Sequence, residues 1–169
     1  RLALVKRVPA GTPISYGREY VTNRSTLIGT LPVGYADGYR RAMTHGGRVL
    51  IHGRSCPVLG RVCMDHIMVA LDDVPEVQAG DEVVLLGCQG GAAGWLGIPT
   101  TDPSPAPDPV SEEPNSPRAP FAHLADTPCV PAEELAATCG TINYEIVSTV
   151  GRRVPRVFFR DGRPVAVRS

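Results

Sequence analysis

The chain has 169 residues, 43% of them hydrophobic, and its 17 basic and 17 acidic side chains cancel to a formal net charge of zero. That length suffices for one domain with a real core, no run approaches the roughly 18 apolar residues of a membrane span, and balanced charge gives no case for nucleic acid. Five cysteines, at 56, 63, 88, 129 and 139, include no C-x-x-C pair, and the four histidines show no metal-ligand spacing beside them; the expectation is reduced thiols in a cytoplasmic protein and no metal site.

The chain opens at Arg1 straight into the alternating run Leu2 to Val8, a strand with no lead-in and no leader, as expected of a piece of a longer protein. PISYGREY, residues 13 to 20, then sets a phenol, Tyr16, between a serine and a glycine at a strand end where a turn residue would serve. Packing is the ordinary reading of one such tyrosine. TLIGTLPVGY predicts the next strand, and VGYADGYRR, residues 33 to 41, places Tyr35 and Asp37 in a glycine-flanked turn followed by Arg40 and Arg41. GRVLIHGRSCPVLG adds further strand. RVCMDHIMVAL alternates, with Cys63, Asp65, Ile67, Val69 and Leu71 on one face and Val62, Met64, His66, Met68 and Ala70 on the other. Both faces are largely apolar, which predicts a buried strand with Arg61, Cys63 and Asp65 directed inward. An ionised Asp65 there needs a partner, and pairing with Arg61 is the simplest one. DEVVLLG predicts one more strand.

The composition then breaks. Ten of the 17 prolines lie between Pro99 and Pro131, with five acids, Asp102, Asp108, Glu112, Glu113 and Asp126, against the single base Arg118. Residues 99–130 read as a disordered surface insertion, because such a segment buries too little apolar surface to offset its ordering entropy. Beyond it, PAEELAATCG predicts a helix with acids in its first turn and Gly140 past its end. TINYEIVSTV is ambiguous between helix and strand, and VFFRDGRPVAV predicts a hairpin turning at Asp161-Gly162. The sum is a mainly β fold: a small β-barrel or closed β-sandwich with one or two short helices.

ISYGREY, GTLPVGYADGYRR, VLGRVCMDHIMV, GTINYEI and RRVPRVFFR follow the order and near spacing of the C-terminal domain of alanine racemases, and the chain resembles that family over residues 1 to 88 and 131 to 169. The resemblance implies a pyridoxal 5′-phosphate enzyme whose cofactor is held covalently on a lysine of an N-terminal (β/α)8 barrel. Lys6, the only lysine, matches no cofactor motif, so the chain reads as the β domain without that barrel and as inactive alone.

The family's chemistry moves the Cα proton of alanine between two faces, supplying D-alanine for peptidoglycan. The resemblance makes Tyr16 the base for one face, contributed to the partner subunit of a head-to-tail homodimer. An ordinary phenol titrates near 10, so such a base needs cationic neighbours, and the family places these on the barrel side. Met64 matches the residue whose backbone N–H meets the substrate carboxylate, and Tyr144 the tyrosine that reaches the cofactor phosphate from the subunit's own β domain. Tyr35, Arg41, Arg61, Asp65 and Ile142 match positions that line or support the substrate's access path. A racemase for serine, lysine or a broader set of amino acids, and a non-catalytic dimerisation or regulatory β domain, are the alternative readings.

Overall fold

The computed structural model describes residues 1–89, 128–160 and 163–168. The opening alternation forms β1 (Leu4–Val8), followed by β2 (Pro13–Ile14), β3 (Tyr20–Val21) and β4 (Thr26–Leu31). The next hairpin is β5 (Arg48–Ile51) and β6 (Arg54–Pro57), and β7 is Ile67–Ala70. After β8 (Gly87–Cys88) and β9 (Cys129–Val130) come two helices, α1 (Ala132–Cys139) and α2 (Asn143–Ser148), and a terminal hairpin of β10 (Arg156–Arg160) and β11 (Arg163–Arg168).

The largest sheet has the order β1-β4-β7, antiparallel throughout, with Val5 opposite Gly29 and Gly29 opposite Val69. The expectation of a mainly β domain with one or two short helices is met, with two, but that of closure into a barrel is not. Among the described residues the other strands form two-stranded pairs, joined by single bridges at Val58↔Val69 and Leu50↔Val84. Pro57 ends β6 without an N–H to continue the ladder, and a barrel requires unbroken hydrogen bonding around its circumference.

Three further expectations change. RVCMDHIMVAL is strand only in its second half: β7 begins at Ile67, and Met64 and Asp65 occupy a bend. DEVVLLG forms no continuous strand: Val84 bridges singly to β5, exchanging two 2.9 Å hydrogen bonds with Leu50, and only its last residue, Gly87, enters β8. Cys88 and Cys129 form a disulfide, so reduced thiols hold only for Cys56, Cys63 and Cys139. Spacing gave no hint of that bond because the partners lie 41 residues apart and meet only through the β8–β9 ladder. The proline-rich segment lies outside the described residues except at its end, where Cys129–Val130 is paired strand and Val130 is fully buried core.

The ambiguous TINYEIVSTV is helical over Asn143–Ser148. Ile146 is buried there, and Glu145 pairs with Arg40 at 2.5 Å, so tertiary contacts override the β-branched composition. The terminal hairpin forms as predicted, its Asp161-Gly162 turn lying outside the described residues. The main core gathers Leu31, Met43, Val49, Leu50, Ile51, Val62, Ile67, Val69 and Leu71, and a second cluster of Val8, Ile14, Ile28 and Leu59 lies under the β2–β3 hairpin.

Candidate functional site

Tyr16 sits at the tip of a hairpin. β2 and β3 pair in the register Pro13↔Val21 and Ile14↔Tyr20, leaving residues 15 to 19 to turn the chain. Ile14 is buried and anchors the base of the tip, whereas Tyr16 is 45% exposed, so packing does not explain the phenol. The backbone around it is unusual. Ser15 has φ 63° and ψ −180°, Gly17 has φ 78° and Arg18 has φ 54°. The Ser15 conformation is one that essentially only glycine adopts, and it costs a residue with a side chain on the order of 1–3 kcal/mol. The Ser15 hydroxyl offsets part of that cost by donating to the Arg61 carbonyl at 2.8 Å.

Two cations meet the phenol from within this chain. Arg41 Nε donates to Tyr16 Oη at 3.2 Å, and the Arg61 guanidinium carbon lies 5.2 Å from the ring centroid, within cation–π range. Arg61 also pairs with Glu19, which is held below the usual carboxylate range by that hydrogen bond first and by the guanidinium charge next. Besides the cationic neighbours that the resemblance implies on the barrel side, Arg41 and Arg61 of this chain stand against the phenol.

Residues 60 to 65 hold the site together. A Cβ on Gly60, which has φ 67°, would lie 2.5 Å from the Ile14 carbonyl oxygen, so the loop runs directly against the tip of the Tyr16 hairpin. On its other side the carbonyls of Cys63 and Met64 accept the N–H groups of Tyr35 and Ala36, each at 3.1 Å. Met64 itself is 53% exposed, and among the described residues its N–H reaches no acceptor. Tyr35 is exposed in the adjoining turn, where the Asp37 carboxylate accepts the Gly34 N–H at 2.8 Å.

Asp65 departs from its expected place. It lies exposed in the bend and pairs with Arg153 at 2.5 Å instead of with Arg61. The reason is that the inward direction inferred from strand alternation does not apply before β7. Arg153 bridges Asp65 and Asp37, its Nε 2.7 Å from the latter, and both carboxylates push its proton affinity up, Asp65 first. Ile142 and Tyr144, at the start of α2, are 64% and 74% exposed. α2 is held by the buried Ile146, by Asn143 Nδ2 donating to Glu133 of α1 at 2.7 Å and by the Arg40–Glu145 pair, so the adjacent arginines divide: Arg41 reaches Tyr16, and Arg40 reaches the helix that carries Tyr144.

Ser15, Glu19, Arg40 and Arg153 thus belong to the site although no role was read for them. Arg153 lies in RRVPRVFFR with no partner apparent from the sequence, and the oddity of a serine before a tyrosine in a turn is the only signal for Ser15. An open cleft beside Tyr16 is lined by Glu19, Arg41, Thr44, His45 and Arg61. Among the described residues no group of His, Cys, Asp and Glu is arranged to hold a metal ion.

These features define a β domain whose polar groups gather on one connected set of loops and point outward. Residues 1–96 match the family described as alanine racemase, C-terminal domain, and the chain belongs to that family. It is 42% identical over 158 residues to the alanine racemase of Halothermothrix orenii, a match covering 94% of this chain and 32% of that protein. It is 43% identical over 158 residues to that of Symbiobacterium thermophilum, again covering 94% and 32%. Among solved structures, alanine racemase of Clostridium difficile 630 in complex with cycloserine superposes with a TM-score of 0.72 at 33% identity, covering 99% of this chain and 34% of that one. The Bacillus anthracis alanine racemase with bound L-Ala-P gives the same TM-score at 35% identity, covering 98% and 33%. The chain therefore spans about a third of the length of the relatives it matches.

Proposed function

We propose that this chain is the C-terminal domain of an alanine racemase, interconverting L- and D-alanine as part of a larger protein that includes a cofactor-binding barrel. The observation that carries the reading is Tyr16, exposed at a strained hairpin tip with a guanidinium N–H on its oxygen. The names of the relatives support alanine as the substrate.

The residues fit pyridoxal 5′-phosphate in one respect and not in another. Tyr144, exposed in the first turn of α2, suits a hydroxyl contact to the phosphate. The amine that holds the cofactor belongs elsewhere, since Lys6 is an exposed residue of the edge strand β1, opposite Ile28. When bound, the cofactor supplies the electron sink that acidifies the substrate's Cα–H.

This chain's own part is to bind, orient and move a proton. Tyr16 Oη takes the Cα proton from its face of the substrate while the other base delivers a proton to the opposite face, and in the reverse direction Tyr16 delivers the proton to its own face; negative charge on the unprotonated oxygen is met by the N–H of Arg41. The Met64 N–H, free of acceptors among the described residues, binds the substrate carboxylate. Tyr35, Ile142, Arg61 and Asp65 line or support the path by which substrate arrives. Because Tyr16 and Met64 face outward, they act on a site completed by another surface, which favours a homodimer in which each β domain serves its partner's barrel head to tail, while Tyr144 reaches the phosphate of its own subunit's cofactor. The same reading puts the enzyme in the cytoplasm, supplying D-alanine for peptidoglycan.

The test is Tyr16→Phe in the full-length dimer. Loss of an acid/base group costs about 100- to 10,000-fold in rate, so racemisation in both directions should fall by that order. Solvent deuterium should still enter Cα of D-alanine, whose face is served by the other base, and fail to enter L-alanine. Equal wash-in from both enantiomers at the unmodified rate would make Tyr16 a packing residue.

A further inference from the structure

We propose that Ser15 is a positioning residue for Tyr16: its hydroxyl holds the hairpin tip in a conformation that serine otherwise avoids, and so fixes where the phenol points. The inference rests on the reading of Tyr16 as the proton-transferring group.

Three observations lead to it. The backbone of Ser15, at φ 63° and ψ −180°, lies where glycine alone is at ease. Were the tip only a turn, glycine would serve it better than serine does. The serine is instead engaged through its side chain, donating to the Arg61 carbonyl at 2.8 Å, with Cys63 Sγ 3.4 Å away. Arg61 is the residue whose guanidinium covers the Tyr16 ring, so one hydrogen bond ties the residue before the phenol to the backbone of the residue whose side chain packs on its face.

The surroundings leave little slack. A Cβ on Gly60 would lie 3.0 Å from the Ser15 Cβ, so the tip rests directly on the 60–63 loop. Tyr16 is 45% exposed, so among the described residues no enclosing pocket directs it. Its orientation therefore depends on its own backbone and on the contacts from Arg41 and Arg61. Releasing the Ser15 hydroxyl frees that backbone to rotate, and a displacement of about 1 Å at a reacting group is enough to cost roughly 100-fold.

The experiment compares Ser15→Gly and Ser15→Ala with Tyr16→Phe in the full-length racemase. It reads the melting temperature, amide hydrogen exchange over residues 15 to 19, KM, and deuterium wash-in at Cα from each enantiomer. Ser15→Gly removes the strain together with the hydroxyl, so it should melt no lower than the parent. Its tip amides should nevertheless exchange at least ~10-fold faster, and wash-in from L-alanine should fall at least ~10-fold with KM and D-alanine wash-in nearly unchanged. Ser15→Ala keeps the strain and should show the same catalytic loss with a lower melting temperature. Parental tip exchange and parental L-alanine wash-in in Ser15→Gly, or a lower melting temperature with full wash-in in Ser15→Ala, would reduce Ser15 to a stabilising residue. If Tyr16→Phe is asymmetric while both Ser15 variants are not, the positioning role alone fails; if Tyr16→Phe itself behaves as the parent, the base assignment fails and takes the positioning role with it.

Discussion

Gly34 gives the sharpest link between close backbone packing and the candidate site. Its φ of −154° and ψ of −159° are extended angles that any residue adopts, so conformational freedom is not what requires glycine there. Space is. A Cβ at position 34 would lie 2.2 Å from the Cys63 carbonyl oxygen and 2.4 Å from that of Met64. Relieving those overlaps means parting residues 34–36 from 63–64 by about 1 Å, which carries both Tyr35 N–H···O=C Cys63 and Ala36 N–H···O=C Met64, now 3.1 Å, beyond hydrogen-bonding range. Two lost hydrogen bonds at about 1 kcal/mol each, with residual overlap, put Gly34→Ala at about 2–4 kcal/mol. At roughly 2–4 °C per kcal/mol for a domain of this size, the melting temperature should drop by about 5–15 °C. The shift also separates the Met64 N–H from Tyr35, and an error of that size costs on the order of 100-fold in turnover. Thermal melts and alanine racemisation of the full-length variant are the assays. A melting temperature within about 1 °C of the parent, with turnover intact, would show that the contact yields cheaply and that the reasoning is wrong.

Two further outcomes are expected. Glu19 is held below its ordinary value of 4.5 by Arg61, so its contribution to stability is present above that value and lost as pH falls through the lower folded one; melts across the acidic range should show this limb, and Glu19→Gln should flatten it, whereas an unchanged profile would remove the pair from the tip's stability. Replacing Cys88 and Cys129 together by serine opens a link between residues 41 apart, for which the chain-entropy relation gives about 4 kcal/mol at most, read as a lower urea midpoint that reductant reproduces in the parent but not in the variant; coincident midpoints with and without reductant would refute it.

Much of the fold was legible because local patterns agreed with tertiary ones. β1, the β5–β6 hairpin, α1 and the β10–β11 hairpin each carry their own periodicity or turn residues. Failures came where packing overrode pattern. In RVCMDHIMVAL both halves alternate, yet the carbonyls of Cys63 and Met64 turn aside to bind the 34–36 turn, and only Ile67–Ala70 stays in the sheet. Val83 to Leu86 read as strand by composition but find just one bridging partner at Leu50. The candidate site residues were found from motif order, and their mutual arrangement was not visible there. Nothing in the sequence separates the roles of Arg40 and Arg41, which diverge to Glu145 and Tyr16, or pairs Asp65 with a residue 88 positions away.

The arrangement of those residues has a common logic. Four exposed functional side chains stand two positions from a buried one: Tyr16 from Ile14, Arg41 from Met43, Met64 from Val62, and Tyr144 from Ile146. The four anchors are 0–7% exposed, while Tyr16, Met64 and Tyr144 are 45–74% exposed. An in-and-out step of this kind lets a loop present a group to solvent while its neighbour is fixed by the close packing of the core. The loops are then tied to one another: the Val62 N–H donates to Thr44 Oγ1 at 3.0 Å, Ser15 to the Arg61 carbonyl, and Arg40 to Glu145. Position thus passes from core to anchor to functional group within two residues, and lateral bonds fix the groups relative to each other. This is how a domain can hold a site in register on its surface without enclosing a pocket around it, as the proposed service to a second domain's reaction requires.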